Sequence, residues 1–268
     1  MYGLPRSYMK TIFVRHYDAY GDWISINGLV RYLIANYNYE KVYLVLEHDE
    51  SRKHFVDLLY ADEPKVSTIV NYDYERICNT EDVIDTRVNE PYPIVGNGNY
   101  WSFQNPFGNY IHSGVASNSD NFYVKLGLNP TIKNELFFFS RRHELEEQLF
   151  NSLNLSKPYS VVCDYGEHLV DRKYLKHSNV VNIHNISKNF VDIFKILENS
   201  DDIHLIENSV SLFTYHMQIS SLLDKFKIHL HAYSRKEPHR RCDGPDCNNH
   251  YLNMLLFPKL ENWEIIWS

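Results

Sequence analysis

Residues 11–46 read TIFVRHYDAYGDWISINGLVRYLIANYNYEKVYLVL, and they give the clearest indication of how the chain folds. Residues 11–17 and 41–46 are short apolar runs of the kind that forms buried β-strands. Between them, residues 23–37 carry apolar side chains at helical spacing, namely at Ile24, Leu29, Leu33 and Ile34. The stretch therefore predicts one β-α-β unit with a parallel strand pair.

The same alternation of strands and helices continues along the chain. Further strands are predicted at residues 66–72, 159–163, 180–183, 202–206 and 227–233, and further helices at residues 51–60, 77–85, 141–153, 191–199 and 209–223. This pattern predicts an α/β architecture of two Rossmann-like domains facing a central cleft. The predicted domains are residues 1–156 and 157–268, divided at Lys157-Pro158, and residues 90–119 form a turn-rich loop over the cleft.

Composition limits the environment and the partners of the chain. The formal net charge is -7 at pH 7, which argues against a nucleic-acid partner because a phosphate backbone attracts basic surfaces. No apolar run reaches the roughly 18 residues of a membrane span, and the first ten residues do not resemble a signal peptide. With only four cysteines, the sequence predicts a cytoplasmic protein without a disulfide framework.

Gly21 and Asp22 lie between the first predicted strand and the helix that follows it. Ligands of open α/β sheets bind at the carboxyl ends of the strands, where this turn is expected. Asp22 is therefore a candidate catalytic carboxylate. An aspartate at the start of a helix also commonly caps it, and the sequence leaves both interpretations open.

Two turns of the second half carry candidate contacts for an anionic ligand. After the strand at residues 159–163, Asp164 and Glu167 offer carboxylates for sugar hydroxyls, and Arg172 offers a fork for a diphosphate. After the strand at residues 202–206, the helix start at Glu207, Asn208 and Ser209 offers backbone N–H groups to a phosphate. Arg235 is expected at the same edge. The alternatives are a salt-bridged surface loop and an ordinary helix cap.

A histidine and cysteine cluster near the C-terminus is a candidate metal site. His239, Cys242, Cys247 and His250 fall within twelve residues and could ligate a structural zinc ion. The spacing differs from that of ordinary zinc fingers, and an incidental polar segment or a disulfide remain alternatives. The sequence contains no Walker-type loop, nucleophile elbow or GxGxxG motif, which removes support for nucleotide hydrolysis, triad chemistry and dinucleotide redox chemistry.

Several segments together resemble a family of GT-B glycosyltransferase-like proteins of bacteria, phages and large DNA viruses, distantly similar to the heptosyltransferases. They occur in the family's order and span nearly the whole chain: AYGDWISINGLVRYL at 19–33, LLYADEPKVSTI at 58–69, NFYVKLGL at 121–128, CDYGE at 163–167, NSDDIHLIENSVSLF at 199–213, HLHAYSR at 229–235 and NWEIIW at 262–267. The chain departs from the family's turns after two strands of the second half, at Cys163–Tyr165 and at Asn208–Val210.

The resemblance implies transfer of a sugar from a nucleotide-sugar donor to a glycan hydroxyl, with no cofactor or obligatory metal. It implies a donor bound by the second domain through Arg172, Ser209 and Arg235, whose charges and N–H groups replace magnesium at the diphosphate. It also implies Asp22 as the base of an inverting transfer. The acceptor would contact the first domain, with candidates at Gly21, Trp23, Asn27, Tyr100 and Trp101.

Three alternatives stay open from the sequence. The chain could be a non-catalytic nucleotide-sugar or glycan-binding protein of the same fold, as its departures from the family's turns allow. It could be an interaction module stabilised by zinc at the C-terminal histidine and cysteine cluster. A sugar-nucleotide epimerase is the third, because some epimerases share the GT-B architecture. The aromatic side chains of residues 90–119 either stack on acceptor sugars or form a small core of their own.

Overall fold

The structure is a computed structural model, and it divides the chain into two compact units. It describes residues 11–16, 19–37, 39–46, 50–70, 82–85, 122–123, 126–166, 169–186, 190–224, 226–231 and 262–266. The first unit comprises Met1–Gly114 and Ser119–Phe138, and the second comprises Val115–Asn118 and Phe139–Ser268. Within the described parts of the chain, every helix is too short or too polar to cross a bilayer.

The main division falls between Phe138 and Phe139, ahead of the predicted boundary after residue 156. Charged pairs explain why the intervening residues belong with the second unit. The Arg141 guanidinium donates to Glu146 and also to Glu198, with an Nη1 to Oε1 distance of 2.6 Å to Glu198. Glu146 lies in the same segment and is almost fully buried, so it holds Arg141 in place, and the pair of Arg141 with Glu198 joins the segment to the second unit.

The first unit is built on a parallel sheet with strand order β3-β2-β1-β4. Its strands are β1 (Thr11–Arg15), β2 (Lys41–Leu46), β3 (Val66–Val70) and β4 (Asp82–Asp85). Its helices are α1 (Tyr20–Ser25), α2 (Asn27–Asn36), α3 (Glu50–Leu59) and α4 (Ile132–Glu135). The core of this unit lies on β1, β2 and α2, whose alternate or stripe-forming apolar residues are buried.

The prediction of a helix at residues 77–85 was wrong for its last four residues, which form β4. This strand pairs in parallel with β1, from Ile12 opposite Asp82 to Arg15 opposite Asp85. Two adjacent β-branched residues favour a strand, and pairing with β1 outweighs a local helix preference because β1 would otherwise be an open edge. The sheet therefore gains a fourth strand that the periodicity did not indicate.

The helix predicted at residues 23–37 is two helices, and the side chain of Tyr123 explains the break. The Tyr123 hydroxyl donates to the Ser25 carbonyl at 2.8 Å and accepts from the Leu29 N–H at 3.0 Å. In a continuous helix those two backbone groups would bond each other. The inserted hydroxyl therefore separates α1 from α2 at Ile26 while leaving neither group unpaired.

The described residues of the second unit include a parallel sheet of five strands in the order β6-β5-β7-β8-β9. Its strands are β5 (Ser160–Cys163), β6 (Val180–Asn182), β7 (Asp202–Ile206), β8 (Ile228–His231) and β9 (Trp263–Ile266). Its helices are α5 (His143–Ser152), α6 (Phe194–Glu198) and α7 (Ser209–Ile219). The predicted alternation is confirmed, and β9 adds a strand from the sequence NWEIIW.

The order of the second sheet fixes where a ligand is expected. Along the chain, the first connection goes from β5 outward to β6, and the next returns past β5 to β7 on its other side. This is the doubly wound order 2-1-3-4-5 found in flavodoxin-like sheets. In such sheets the two connections leave a crevice at the carboxyl ends of the strands where the direction changes, here β5 and β7.

Candidate functional site

Asp164 is the first residue after β5, and it organises the crevice at that strand's carboxyl end. Its side chain is 5% exposed, its backbone N–H donates to Oδ1 of Asn182 at 3.2 Å, and its carboxylate accepts the Val170 N–H at 2.8 Å. The same carboxylate pairs with the Arg172 guanidinium. Asp164 is therefore occupied by internal partners, and it positions Arg172 rather than offering its own oxygens to a ligand.

Arg172 is the cation that this arrangement presents to solvent. Its side chain is 50% exposed, and besides Asp164 it donates through Nη1 to the Val170 carbonyl at 3.3 Å. The guanidinium is therefore held on one side by protein acceptors and open on the other, which suits bidentate binding of a phosphate. The neighbouring Lys173 pairs instead with Asp171, and hydrogen bonds from Lys173 hold the pKa of the Asp171 carboxyl below its usual value.

At the carboxyl end of β7, Asn208 caps helix α7, which is the alternative to ligand binding that the sequence left open for this turn. Its Oδ1 accepts the N–H groups of Val210 and Ser211 at 2.9 and 3.1 Å, and the Ser211 hydroxyl accepts the Asn208 N–H at 2.9 Å. This capping box uses two of the amides that a phosphate would otherwise reach. The Asn208 side chain therefore stabilises the start of α7, and the Ser209 N–H is the backbone donor there that remains available to a ligand.

Cys163 and Asn208 join the two strands that flank the crevice. The Asn208 amide donates to the Cys163 sulfur at 3.2 Å, linking the last residue of β5 to the turn after β7. Burial raises the pKa of the Cys163 thiol to about 11, against a smaller lowering by Asn208. The thiol is therefore neutral at pH 7 and packs as a small apolar group.

Glu207 and Ser209 flank Asn208 in the same turn. Glu207 is 3% exposed, whereas Ser209 is only partly buried. Among the described residues, the Ser209 hydroxyl forms no hydrogen bond within the protein, so it remains open to a ligand at the start of α7. The Ser209 hydroxyl is therefore accessible to a ligand, whereas the Glu207 carboxylate is buried.

Two aromatic side chains that sequence reasoning gave no role lie beside this crevice. Tyr165 follows Asp164 and is 56% exposed, and its ring meets that of His184 edge to face with centroids 4.8 Å apart. Tyr165 and His184 are the second residues after β5 and β6, respectively. The signal available in the sequence was this position shortly after a strand. Their exposure and contact depend on two segments that are eighteen or more residues apart, which no local pattern indicates.

In the first unit, Asp22 lies in the first turn of α1, three residues after Ala19. Ala19 occupies the cap position, and no side chain caps this helix. The interpretation of Asp22 as the helix cap is therefore wrong, although a carboxylate in the first turn still suits the helix dipole. Asp22 is partly exposed and follows β1, so it lies near the carboxyl end of that strand. Gly21 lies beside it, and its carbonyl accepts the Ser25 hydroxyl at 2.8 Å.

Trp23 and Asn27 were predicted as acceptor contacts, but both side chains lie in the protein interior. Trp23 is fully buried and packs edge to face on His16 with ring centroids 5.6 Å apart. Asn27 is fully buried, and its Oδ1 accepts the Phe138 N–H at 3.0 Å and Nε of Arg31 at 3.1 Å. Because neither side chain reaches the surface, we assign them to the core rather than to an acceptor site.

The glycine of the same motif, Gly28, is explained by close packing. A methyl group placed at Gly28 would lie 2.6 Å from the backbone oxygen of Ile132, so α2 approaches α4 more closely than any larger residue allows. The NGLVR segment is therefore a packing motif in this chain.

The remaining predicted residues lie outside the described part of the chain. They are Arg235 among the donor contacts, Tyr100 and Trp101 among the acceptor contacts, Glu167, and the candidate zinc ligands His239, Cys242, Cys247 and His250.

Comparison with known proteins gives limited information. No protein-family model matches the sequence, and no curated protein matches it. Among solved structures, the chain is similar to a glycosyl transferase of family 9 from Veillonella parvula DSM 2008, at 11% sequence identity and a TM-score of 0.47. The similarity covers 83% of this chain and 80% of the other. A likeness this low indicates neither activity nor ligand.

Proposed function

We propose that the chain is a glycosyltransferase that binds a nucleotide-sugar at the crevice between the carboxyl ends of β5 and β7. The observation that carries the proposal is the half-exposed Arg172, held by buried Asp164 at the point where the strand order of the second sheet reverses. Crevices at that position are the usual nucleotide sites of doubly wound sheets. An oriented guanidinium there suits the diphosphate of a nucleotide-sugar.

The leaving diphosphate would be stabilised by protein groups rather than by a metal. Arg172 offers its solvent side, and Ser209 offers its hydroxyl and backbone N–H at the start of α7. Fixed donors of this kind stabilise the charge that develops on a leaving group without the cost of reorientation. Tyr165 would pack against the nucleobase or ribose, because its exposed ring lies beside the same crevice.

Asp22 would act as the general base. Its carboxylate takes the proton of the acceptor hydroxyl, and the hydroxyl oxygen forms a bond to the anomeric carbon of the donor. In the same step the bond from that carbon to the diphosphate oxygen breaks, and the diphosphate leaves with the electron pair. One displacement of this type inverts the anomeric configuration. The support for Asp22 is its partly exposed position in the first turn after β1, together with the resemblance of its GD turn.

A binding screen tests this proposal. The full chain is melted in the presence of nucleoside diphosphates and nucleotide-sugars, each with and without magnesium, since a ligand of the folded state raises the melting temperature. We expect one nucleotide to raise it selectively, to the same extent in both conditions. No shift across the panel, or a shift that requires magnesium, would contradict the proposed site.

The exchange of Asp22 for asparagine separates the enzyme from a non-catalytic binding protein. Once the screen names the donor, transfer to glycan acceptors is measured for the natural chain and for Asp22→Asn. We expect the variant to bind the donor as before and to lose at least 100-fold in transfer rate, because a general base contributes about that much. Full transfer by Asp22→Asn would remove Asp22 from the mechanism, and binding without transfer in the natural chain would favour the binding-protein alternative.

A further inference from the structure

A buried polar cluster lies on one face of the second sheet, apart from the crevice described above. Asp202 and His204 are two residues apart on β7, so their side chains point to the same face, and His229 is the register partner of His204 on β8. Asp202 is the first residue of β7, whereas the crevice lies beyond Ile206, the last residue of that strand. The cluster therefore sits toward the opposite ends of the strands from Arg172.

We propose that Asp202, His204 and His229 form a binding site for a divalent transition metal, with zinc as the ion that best suits two imidazoles and one carboxylate. One ligand atom from each residue lies within 4.8 Å of the other two. Such a set leaves at least one position on the ion for water or another side chain. The proposal goes beyond the sugar-transfer function and does not depend on it.

The contact between Asp202 and His204 supports a cation at this place. Nε2 of His204 lies 2.9 Å from Oδ2 of Asp202, and both side chains are 1% exposed. Among the described residues, however, Nε2 of His204 and Oδ1 of Asp202 have no hydrogen-bond partner, because the ring does not direct its Nε2 at a carboxylate oxygen. Buried polar atoms without partners are costly, and a metal ion would satisfy both.

The second nitrogen of each histidine lies near another side chain, and the carboxylate beside His229 is of the kind that orients metal-binding histidines. Nδ1 of His204 lies 2.8 Å from Nε2 of His231, and Nδ1 of His229 lies 3.4 Å from the Glu264 carboxylate. When Nδ1 of His204 donates to Nε2 of His231, Nε2 of His204 carries a lone pair that can bind a metal ion beside Asp202. Contacts of this type fix the tautomer and orientation of metal ligands.

The nearby lysine does not replace the metal. Nζ of Lys176 is 3.9 Å from Oδ1 of Asp202, beyond hydrogen-bond range, and its side chain is 60% exposed. The Lys176 backbone N–H and the Ser160 hydroxyl instead hydrogen bond to Oδ2, at 2.9 and 3.2 Å. These contacts hold the carboxylate in place and leave Oδ1 directed toward His229, at 3.6 Å from its Nε2.

Binding requires His229 to tilt out of its present position. Its ring is stacked on that of His204 at a centroid distance of 4.5 Å and an angle of 10°, so the nitrogen lone pairs of the two rings lie in nearly parallel planes and do not yet converge on one point. Zinc bonds of about 2.0 to 2.1 Å draw tetrahedral ligand atoms to within about 3.4 Å of each other. His229 is the least buried of the three ligands, at 13% exposure, so it is the ligand that would tilt and bring its nitrogen closer by up to roughly 1.4 Å.

Equilibrium dialysis against zinc, with metal analysis of the untagged full chain after removal of metal by a chelator, tests the site. Three variants are compared. His229→Gln removes a proposed ligand at similar volume, and His143→Gln is its matched control at an exposed position of the same unit. Cys242→Ser combined with Cys247→Ser removes the separate C-terminal candidate ligands.

We expect His229→Gln to lose one zinc equivalent or at least tenfold in affinity, while His143→Gln and the double cysteine variant keep it. If both candidate sites bind zinc, the natural chain holds two equivalents and each ligand variant one. The proposal is overturned if no zinc binds, if the double cysteine variant alone loses it, or if His229→Gln keeps all of it.

Cobalt provides a second readout that does not depend on the folding of His229→Gln. In the double cysteine variant, one equivalent of Co²⁺ should give visible ligand-field bands without a thiolate charge-transfer band, because the proposed ligands are nitrogen and oxygen. Zinc at about 100 times its Kd should raise the melting temperature of that variant by roughly 5 to 10 °C. Absence of both effects would contradict the site even if His229→Gln proved unstable.

Discussion

Replacing Tyr123 by phenylalanine tests the account of how the first unit breaks its helix. Tyr123 is fully buried, and its hydroxyl is the sole atom removed while its ring stays in place. The change takes away hydrogen bonds to the Ser25 carbonyl at 2.8 Å and from the Leu29 N–H at 3.0 Å. Each of these two buried groups costs about 1 to 3 kcal/mol when it is left unpaired, so we expect a loss of about 2 to 6 kcal/mol in the free energy of unfolding.

Urea unfolding followed by circular dichroism measures this loss, with the slope against urea checked for constancy. Tyr43→Phe is the control, because the Tyr43 hydroxyl makes no hydrogen bond within the described residues and its ring stacks on Phe13 with centroids 5.1 Å apart. A loss below about 0.5 kcal/mol for Tyr123→Phe would mean that removing the hydroxyl leaves no buried group unpaired. That result would contradict the prediction that the Ser25 carbonyl and the Leu29 N–H depend on the Tyr123 hydroxyl for their hydrogen bonds.

Three further outcomes are expected. Gly28→Ala should lower the free energy of unfolding by about 1 to 3 kcal/mol, because the added carbon would lie 2.6 Å from the Ile132 backbone oxygen, and an unchanged urea midpoint would contradict this contact. Gly166→Ala should cost about 1 kcal/mol in the same assay, since its φ of +56° is unfavourable for alanine although the space is open. Cys163, with a pKa of about 11, has roughly one thiolate in a thousand at pH 8, so native protein should resist iodoacetamide there by peptide mass spectrometry, whereas rapid labelling would refute its burial.

The alternation of strands and helices was predictable because each element carries its own local pattern. The apolar runs of β1, β2, β5 and β7 indicated buried parallel strands, and all four are present. The local pattern could not predict features that depend on tertiary contacts. β4 is a strand because it completes the sheet beside β1, and the long first helix is divided because Tyr123, far along the chain, inserts its hydroxyl.

The candidate site was predicted in part for the same reason. Positions after strands indicated the turns at Asp164 and Asn208, since the carboxyl ends of parallel strands share one edge. The roles within those turns depend on partners elsewhere: Asp164 holds Arg172, and Asn208 caps α7. The Asp-x-His pattern of β7 was visible in the sequence, but its meaning depends on His229, which only the strand register brings alongside.

The central claim is that Arg172 holds the diphosphate of a nucleotide ligand, and calorimetry of a nucleoside diphosphate measures it directly. Lys173→Ala is the matched control. Lys173 is the next residue after Arg172 and carries the same charge, but its side chain pairs with Asp171. We predict that the natural chain binds the nucleoside diphosphate. Arg172→Ala should lose 10- to 100-fold in affinity, because hydrogen bonds to charged groups contribute roughly 1.5 to 3 kcal/mol. Lys173→Ala should lose less than about threefold. Equal losses for the two variants, or no binding by the natural chain, would contradict the proposed site.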